Sequence, residues 1–139
     1  AHEQAGLHVD ESLIRAGDYS VESGYQMAKQ LLTSKPPVDG VICMSDPMTL
    51  GALRAMREKG LVPGHDIDVI AGDDFPTTRT IWPGLTSIRT PLYDQGYQAG
   101  MMIVDYIQSG KEVPGKLLRG ELIVRESVRS RNGAREGLG

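Results

Sequence analysis

The chain has 139 residues, 40% of them hydrophobic and 24% charged, the length and balance of one globular domain able to bury roughly two-thirds of its unfolded surface. A formal net charge of −3 excludes a basic surface that could neutralise successive phosphates, so nucleic-acid binding is not expected from these residues themselves. No apolar stretch approaches ~18 residues and the first residues lack a basic-then-apolar pattern, so neither a membrane span nor a signal peptide is expected.

In chain order, Ala1 to Leu7 reads as the tail of a helix already under way, without an initiator Met, as in a piece of a longer protein. Ser20 is placed to cap a helix whose apolar positions Tyr25, Ala28, Leu31 and Leu32 share one face, and Pro36-Pro37 stops it. Gly40 to Met44 is apolar throughout, as a strand buried on both faces would be. Within it the single cysteine, Cys43, is expected to pack as a small hydrophobe, in keeping with a reducing cytoplasm.

Asp46 and Pro47 then predict a helix start, with Asp46 as cap and Pro47 at the first helical position. Leu50, Ala52, Leu53 and Met56 form its apolar stripe, and Gly60 ends it. Asp68 to Ala71 reads as a strand running into the turn Gly72-Asp73-Asp74, and Leu85 to Arg89 as another strand. Leu92, Gly96, Ala99, Gly100, Ile103 and Ile107 mark one face of a long helix closed by Gly110, and the two glycines on that face predict close approach to a sheet. Leu117-Leu118 and Leu122 to Val124 are short strand candidates, and the polar, Gly-rich residues 129–139 are expected to be a mobile tail. Strands alternating with helices predict an α/β fold, a parallel sheet with flanking helices.

Ligands of open α/β sheets bind beyond the carboxyl ends of the strands. Three such ends are visible: Asp18-Tyr19-Ser20, Ser45-Asp46 and Asp73-Asp74. Carboxylates accept from paired hydroxyls and an aromatic ring covers an apolar sugar face, so the set suits a polyhydroxylated ligand. Each residue also has a structural explanation: capping for Asp46, turn formation for Asp73 and Asp74, ordinary partial burial for Tyr19.

Motifs of enzymes are missing: there is no G-x-x-x-x-G-K-[ST], G-x-G-x-x-G, G-x-S-x-G or H-E-x-x-H. His2, His8 and His65 lack partners at metal-ligand spacing, and neither a metal nor another cofactor is expected. The enzymatic alternative rests on Asp46, Asp73 and Asp74, which could hold Mg²⁺ at neighbouring strand ends.

The runs Ser45-Asp46-Pro47-Met48-Thr49-Leu50-Gly51-Ala52-Leu53-Arg54-Ala55 and Gly60-Leu61-Val62-Pro63 through Asp68-Val69-Ile70-Ala71-Gly72-Asp73-Asp74 resemble the lactose-repressor (LacI/GalR) family almost position for position. Gly17-Asp18-Tyr19-Ser20, Pro83-Gly84-Leu85-Thr86-Ser87-Ile88-Arg89 and Leu122 to Ser127 extend the resemblance to Val128. It implies an incomplete periplasmic-binding-protein-like core (type I), with residues 1–128 supplying most of the C-terminal lobe and a helix at about 92–108 crossing to the other lobe. It implies a cytoplasmic regulator that senses a sugar or nucleoside-like effector by lobe closure and reaches operator DNA through a headpiece outside this chain. Tyr19 stands where the family places a ring against the effector, Ser45 replaces a more usual Asn, and Asp73 matches an acidic residue that binds ligand hydroxyls. Leu50 and Ile81 fall where family members pack as isologous homodimers. A periplasmic sugar-binding protein of related fold is the transport-class alternative, and the Asp68 to Asp74 run and the Arg125-Glu126-Ser127 ending favour a regulator.

Overall fold

The structure, a computed structural model, describes residues 3–6 and 8–129. After 3₁₀ turns at Glu3–Ala5 and Glu11–Leu13, the elements are α1 (Val21–Leu31), β1 (Gly40–Ile42), α2 (Asp46–Glu58), β2 (Asp68–Asp73), α3 (Pro76–Thr80), β3 (Thr86–Arg89), α4 (Leu92–Ser109) and β4 (Glu121–Ile123). The opening helical tail expected from Ala1 to Leu7 is reduced to the turn at Glu3–Ala5; Ala1, His2 and Leu7 lie outside the described residues. Leu117-Leu118 forms no strand, because no neighbouring strand reaches it to satisfy its backbone.

The four strands form one sheet in the order β1-β2-β3-β4. β1, β2 and β3 are parallel, and β4 returns antiparallel with Arg89 opposite Glu121. Val41 and Cys43 are buried, but Ile42 is 63% and Met44 72% exposed. The strand is therefore covered on one face only. α1 and α2 lie against each other, and α2 lies against β2, so no described helix covers the face to which Ile42 points.

The covered face carries the core. Met56, Val69, Ala71 and Leu85 are fully buried there, with Tyr25, Ala28, Ala52 and Ile67 around them. Two glycines let α1 and α2 cross in near contact: a Cβ on Gly51 would overlap Val21 O and Tyr25 N, and one on Gly24 would overlap the Met48 backbone. Beside the crossing, Tyr25 donates to Glu58 Oε2 at 2.7 Å while the Arg54 guanidinium lies 4.3 Å above its ring, a cation–π contact.

The segment after β4 acts as a strap across the amino ends of β2 and β3. Ser127 is fully buried; its hydroxyl accepts from Thr86 N at 2.8 Å and donates to Val69 O at 2.6 Å, and its carbonyl accepts from Val69 N at 2.8 Å. Arg129 then grips Asp68, its backbone N and Nε each 2.9 Å from Oδ1. Arg129 thus belongs to the folded body, although its polar surroundings read as tail; residues 130–139 lie outside the described residues.

α4 behaves differently from every other long element. It has no buried residue, and a Cβ on Gly96 or Gly100 would meet nothing within 4 Å. The close approach expected from these glycines is not made to this sheet, because the helix leaves it. The chain departs at Arg89 and rejoins at Glu121, directly across the β3–β4 pair.

The α1–α2 crossing yields the first expectation. Gly51→Ala, measured by chemical denaturation, is expected to lower stability by about 2 kcal/mol or more, because backbone rather than a flexible side chain must move. Unchanged stability would show that the two helices can separate without cost.

Candidate functional site

The carboxyl edge of the sheet is built around the start of α2. Ser45, in extended conformation (φ −153°, ψ 155°), is its cap: Oγ accepts from Met48 N at 3.4 Å. This corrects the sequence reading by one residue. Asp46 is the first helical residue and Pro47 the second, where the missing N–H is equally harmless.

Freed from capping, Asp46 turns inward and is 3% exposed. Its Oδ2 accepts from Phe75 N at 2.6 Å and from Thr78 Oγ1 at 2.8 Å, tying the start of α2 to α3. Burial raises its carboxyl above the ordinary range, and the Asp73 and Asp74 charges add to that, against the bonds from Phe75 and Thr78.

At the end of β2 the chain turns sharply. Asp73 (φ 72°) and Asp74 (φ 56°) are left-handed, as is Tyr19 (φ 65°), the non-glycine residues with positive φ among those described. Each such residue costs on the order of 1–3 kcal/mol and persists only where surrounding contacts hold it. Gly72 lets the turn sit against the end of the β1 strand: a Cβ there would lie 2.8 Å from Met44 O and 3.1 Å from Ser45 N. Ser45 and Asp73 are thereby brought to adjacent strand ends.

The holding contacts belong to Asp74. Its fully buried carboxylate meets Arg89 Nε at 2.8 Å and Arg79 Nε at 3.3 Å through Oδ2, and Arg125 NH1 at 2.8 Å through Oδ1. The Arg125 contact is an ion pair more than an aligned hydrogen bond, since the same nitrogen donates to Leu85 O at 2.6 Å. Arg79 also forks onto Asp74 O at 2.8 and 3.0 Å. Burial pushes the Asp74 carboxyl upward, but the Arg125 and Arg89 bonds and the surrounding positive charge outweigh it, and it sits below its ordinary value.

Asp73, by contrast, stays half-buried at the rim of a cleft of about 440 Å³ that also exposes Phe75, Arg89, Tyr93, Arg119 and Glu121. Tyr19 and Ser45 do not line that cleft. Tyr19 is 68% exposed in a loop that reaches the start of α2 through Gly17, against which the Met48 side chain packs. Beside it, bonds from Ser20 and Ser23 hold Asp18 down to about 2, so it is ionised at neutral pH. Ser45 is buried, its oxygen engaged with Met48 N.

The Mg²⁺ alternative loses its ligands in this arrangement. Asp46 and Asp74 are engaged by protein donors, and among the described residues no three His, Cys, Asp or Glu side chains are grouped to hold a metal ion. His65 pairs with Asp66 at 2.8 Å, His8 is exposed, and His2 lies outside the described residues. On another side of the lobe, Leu50 and Ile81 line one groove of about 420 Å³ together with Leu53, Leu61 and Trp82, the last 86% exposed.

Sequence reasoning passed over Arg79, Arg89 and Arg125. They lie far apart in the chain and converge only in the fold; the available signal was an Asp-Asp pair at a strand end.

Comparison with known proteins supplies the wider frame. A family model described as a periplasmic binding protein-like domain matches residues 1–128. The chain is 35% identical over 128 residues to the HTH-type transcriptional repressor CytR of Escherichia coli K12, covering 91% of this chain and 38% of that protein. It is 38% identical over 129 residues to the repressor PurR of Yersinia pestis, covering 92% and 38% respectively. It therefore spans well under half the length of these curated relatives. Among solved structures it resembles the regulator CelR in complex with cellobiose (TM-score 0.82, 34% identity, 91% of this chain and 39% of that one). It also resembles a LacI family regulator from Enterococcus faecium with bound ribose (TM-score 0.72, 29% identity, 81% and 42%) and a dimeric Lac repressor (TM-score 0.72, 33% identity, 84% and 43%).

The arginine cluster makes a pH-dependent expectation. A carboxyl held below its ordinary value near 3.8 contributes stability above that value and loses it as pH falls through the lowered one. Asp74→Asn is expected to cost about 1.5–3 kcal/mol at neutral pH, through loss of the charge-assisted contacts that Arg79, Arg89 and Arg125, themselves partly open to solvent, make to a buried carboxylate. The deficit should shrink as the pH falls below 3.8 towards the lowered folded-state value, through which the wild-type carboxyl takes up a proton. Denaturation curves across that range check it; a deficit independent of pH would assign the loss to packing.

Proposed function

We propose that this chain, which belongs to the periplasmic binding protein-like family as it occurs in LacI-type transcription regulators, senses a small polyhydroxylated effector and controls operator binding by lobe closure. The DNA contact comes from a headpiece outside these residues, and the working protein is a cytoplasmic homodimer. The observation that carries this reading is the Asp73 carboxylate: partly exposed, at the carboxyl end of β2, on a left-handed turn that Asp74 holds in place. A carboxylate so placed can accept two hydroxyl hydrogen bonds, and closure of a second lobe would remove competing water.

Sugar-like ligands fit the chemistry of the edge, and two similar regulators were solved with cellobiose and with ribose bound. Tyr19 would cover an apolar ring face, and Ser45 would contribute its hydroxyl proton while its oxygen caps α2. The groove shared by Leu50, Ile81 and exposed Trp82 is the surface we assign to the partner subunit, by an isologous contact. No helix among the described residues is long and apolar enough to cross a membrane, and no membrane role enters the proposal.

Calorimetric titration of the full-length protein with cellobiose and with ribose tests the reading. Asp73→Ala should weaken binding of whichever sugar binds by roughly ten- to a hundredfold, the equivalent of about 1.5–3 kcal/mol for charge-assisted bonds. Retained affinity with a lowered melting temperature would make Asp73 a turn residue only. Leu50→Asp should shift the full-length protein from dimer towards monomer in sedimentation, whereas an unchanged dimer would place the interface elsewhere.

A further inference from the structure

We propose that Arg89 is a positioning residue for effector recognition, acting through Asp74 on the turn that carries Asp73 and through Glu121 on the base of the α4 excursion; the effector part rests on the function proposed above. Arg89 is the last residue of β3 and the β-sheet partner of Asp73 on one side and of Glu121 on the other. Its Nε donates to Asp74 Oδ2 at 2.8 Å, and its NH1 lies 3.6 Å from Glu121 Oε2. One guanidinium thus touches two places. The first is the residue that restrains the strained turn; the second is the point at which the chain comes back from residues 90–120.

The two contacts differ in weight. Glu121 is largely exposed and its pairing contributes little by itself. Asp74 is fully buried and left-handed, so its carboxylate must keep its cationic partners for the backbone at Asp73 and Asp74 to hold its conformation. Arg79 binds the same carboxylate from α3, and Arg125 from the strap after β4. Neither stands where the excursion leaves the sheet. Arg89 alone of the three combines a bond to Asp74 with a position at that exit, since Thr90 and Pro91 follow it directly into α4. A rotation of the excursion that displaced Arg89 would load or release Asp74.

Hydrogen–deuterium exchange on the full-length protein tests this without knowledge of the ligand. Arg89→Gln keeps the aliphatic stem and a donor but removes the fork and the charge. It is expected to raise exchange at the amides of 73–75 and, within 90–93, of Thr90, Leu92 and Tyr93 together, by about fivefold or more. Glu22→Gln, on the exposed face of α1, is the control and should change neither. Arg89→Lys should restore part of the protection, because charge returns without the fork. Faster exchange confined to 90–93, with 73–75 unchanged, would overturn the proposal and reduce Arg89 to a local strand-end pair. Where the wild type binds cellobiose or ribose, Arg89→Gln should weaken that binding about tenfold while Asp73 itself is intact. Unchanged sugar affinity beside faster exchange at 73–75 would overturn the positioning role. Absence of sugar binding in the wild type would instead count against the proposed effector class, leaving the exchange result to decide the structural part.

Discussion

A single buried carboxylate with cationic partners on α3, β3 and the C-terminal strap organises this lobe. Asp74 draws Arg79, Arg89 and Arg125 to one point, from α3, from the end of β3 and from the segment after β4. Burying a carboxylate is costly, and here the cost is offset by ion pairs in a low-dielectric setting. The consequence appears one residue away: Asp73 is held in a left-handed conformation with its side chain at the rim of the cleft. Two adjacent aspartates divide the labour, one anchoring and one facing outward.

The start of α2 supplies the other half of the edge. Ser45 caps the helix and Asp46, turned inward, fastens α3 through Phe75 and Thr78. The turn from β2 into α3 is therefore pinned twice, at Asp74 by arginines and at Phe75 by Asp46. Precise placement of a few polar groups in a partly open site is what discrimination among small hydroxylated ligands requires. Charge is also distributed usefully. Asp46 is pushed towards its neutral form while Asp18 and Asp74 are held ionised.

Most of the architecture is legible in the sequence because its signals are local. Ser20 caps α1, Asp68 to Ala71 begins β2, and Gly110 closes α4 in the left-handed conformation expected of a terminating glycine. The readings that shifted depended on distant partners. Asp46 and Ser45 both satisfy capping preferences, and only the presence of Phe75 N and Thr78 selects which of them turns inward. The apolar run from Gly40 to Met44 gives no sign that one of its faces is uncovered, nor Gly96 and Gly100 that the helix bearing them departs from the sheet. The ligand-facing candidates were visible as residue types at strand ends. Their division into anchor and contact was not, because it is decided by arginines brought together only by the fold.

The chain belongs to the LacI-type family, and the proposal built on that membership assigns this edge to a small effector. Its central claim is that Asp73 meets the effector while Asp74 holds it there. A crystal structure of the full-length protein with cellobiose or ribose bound tests that claim most directly. The account predicts a ligand hydroxyl within about 3 Å of an Asp73 carboxylate oxygen, with Asp74 still enclosed by Arg79, Arg89 and Arg125. A bound sugar whose hydroxyls are held by other residues, with Asp73 turned into the protein, would contradict it.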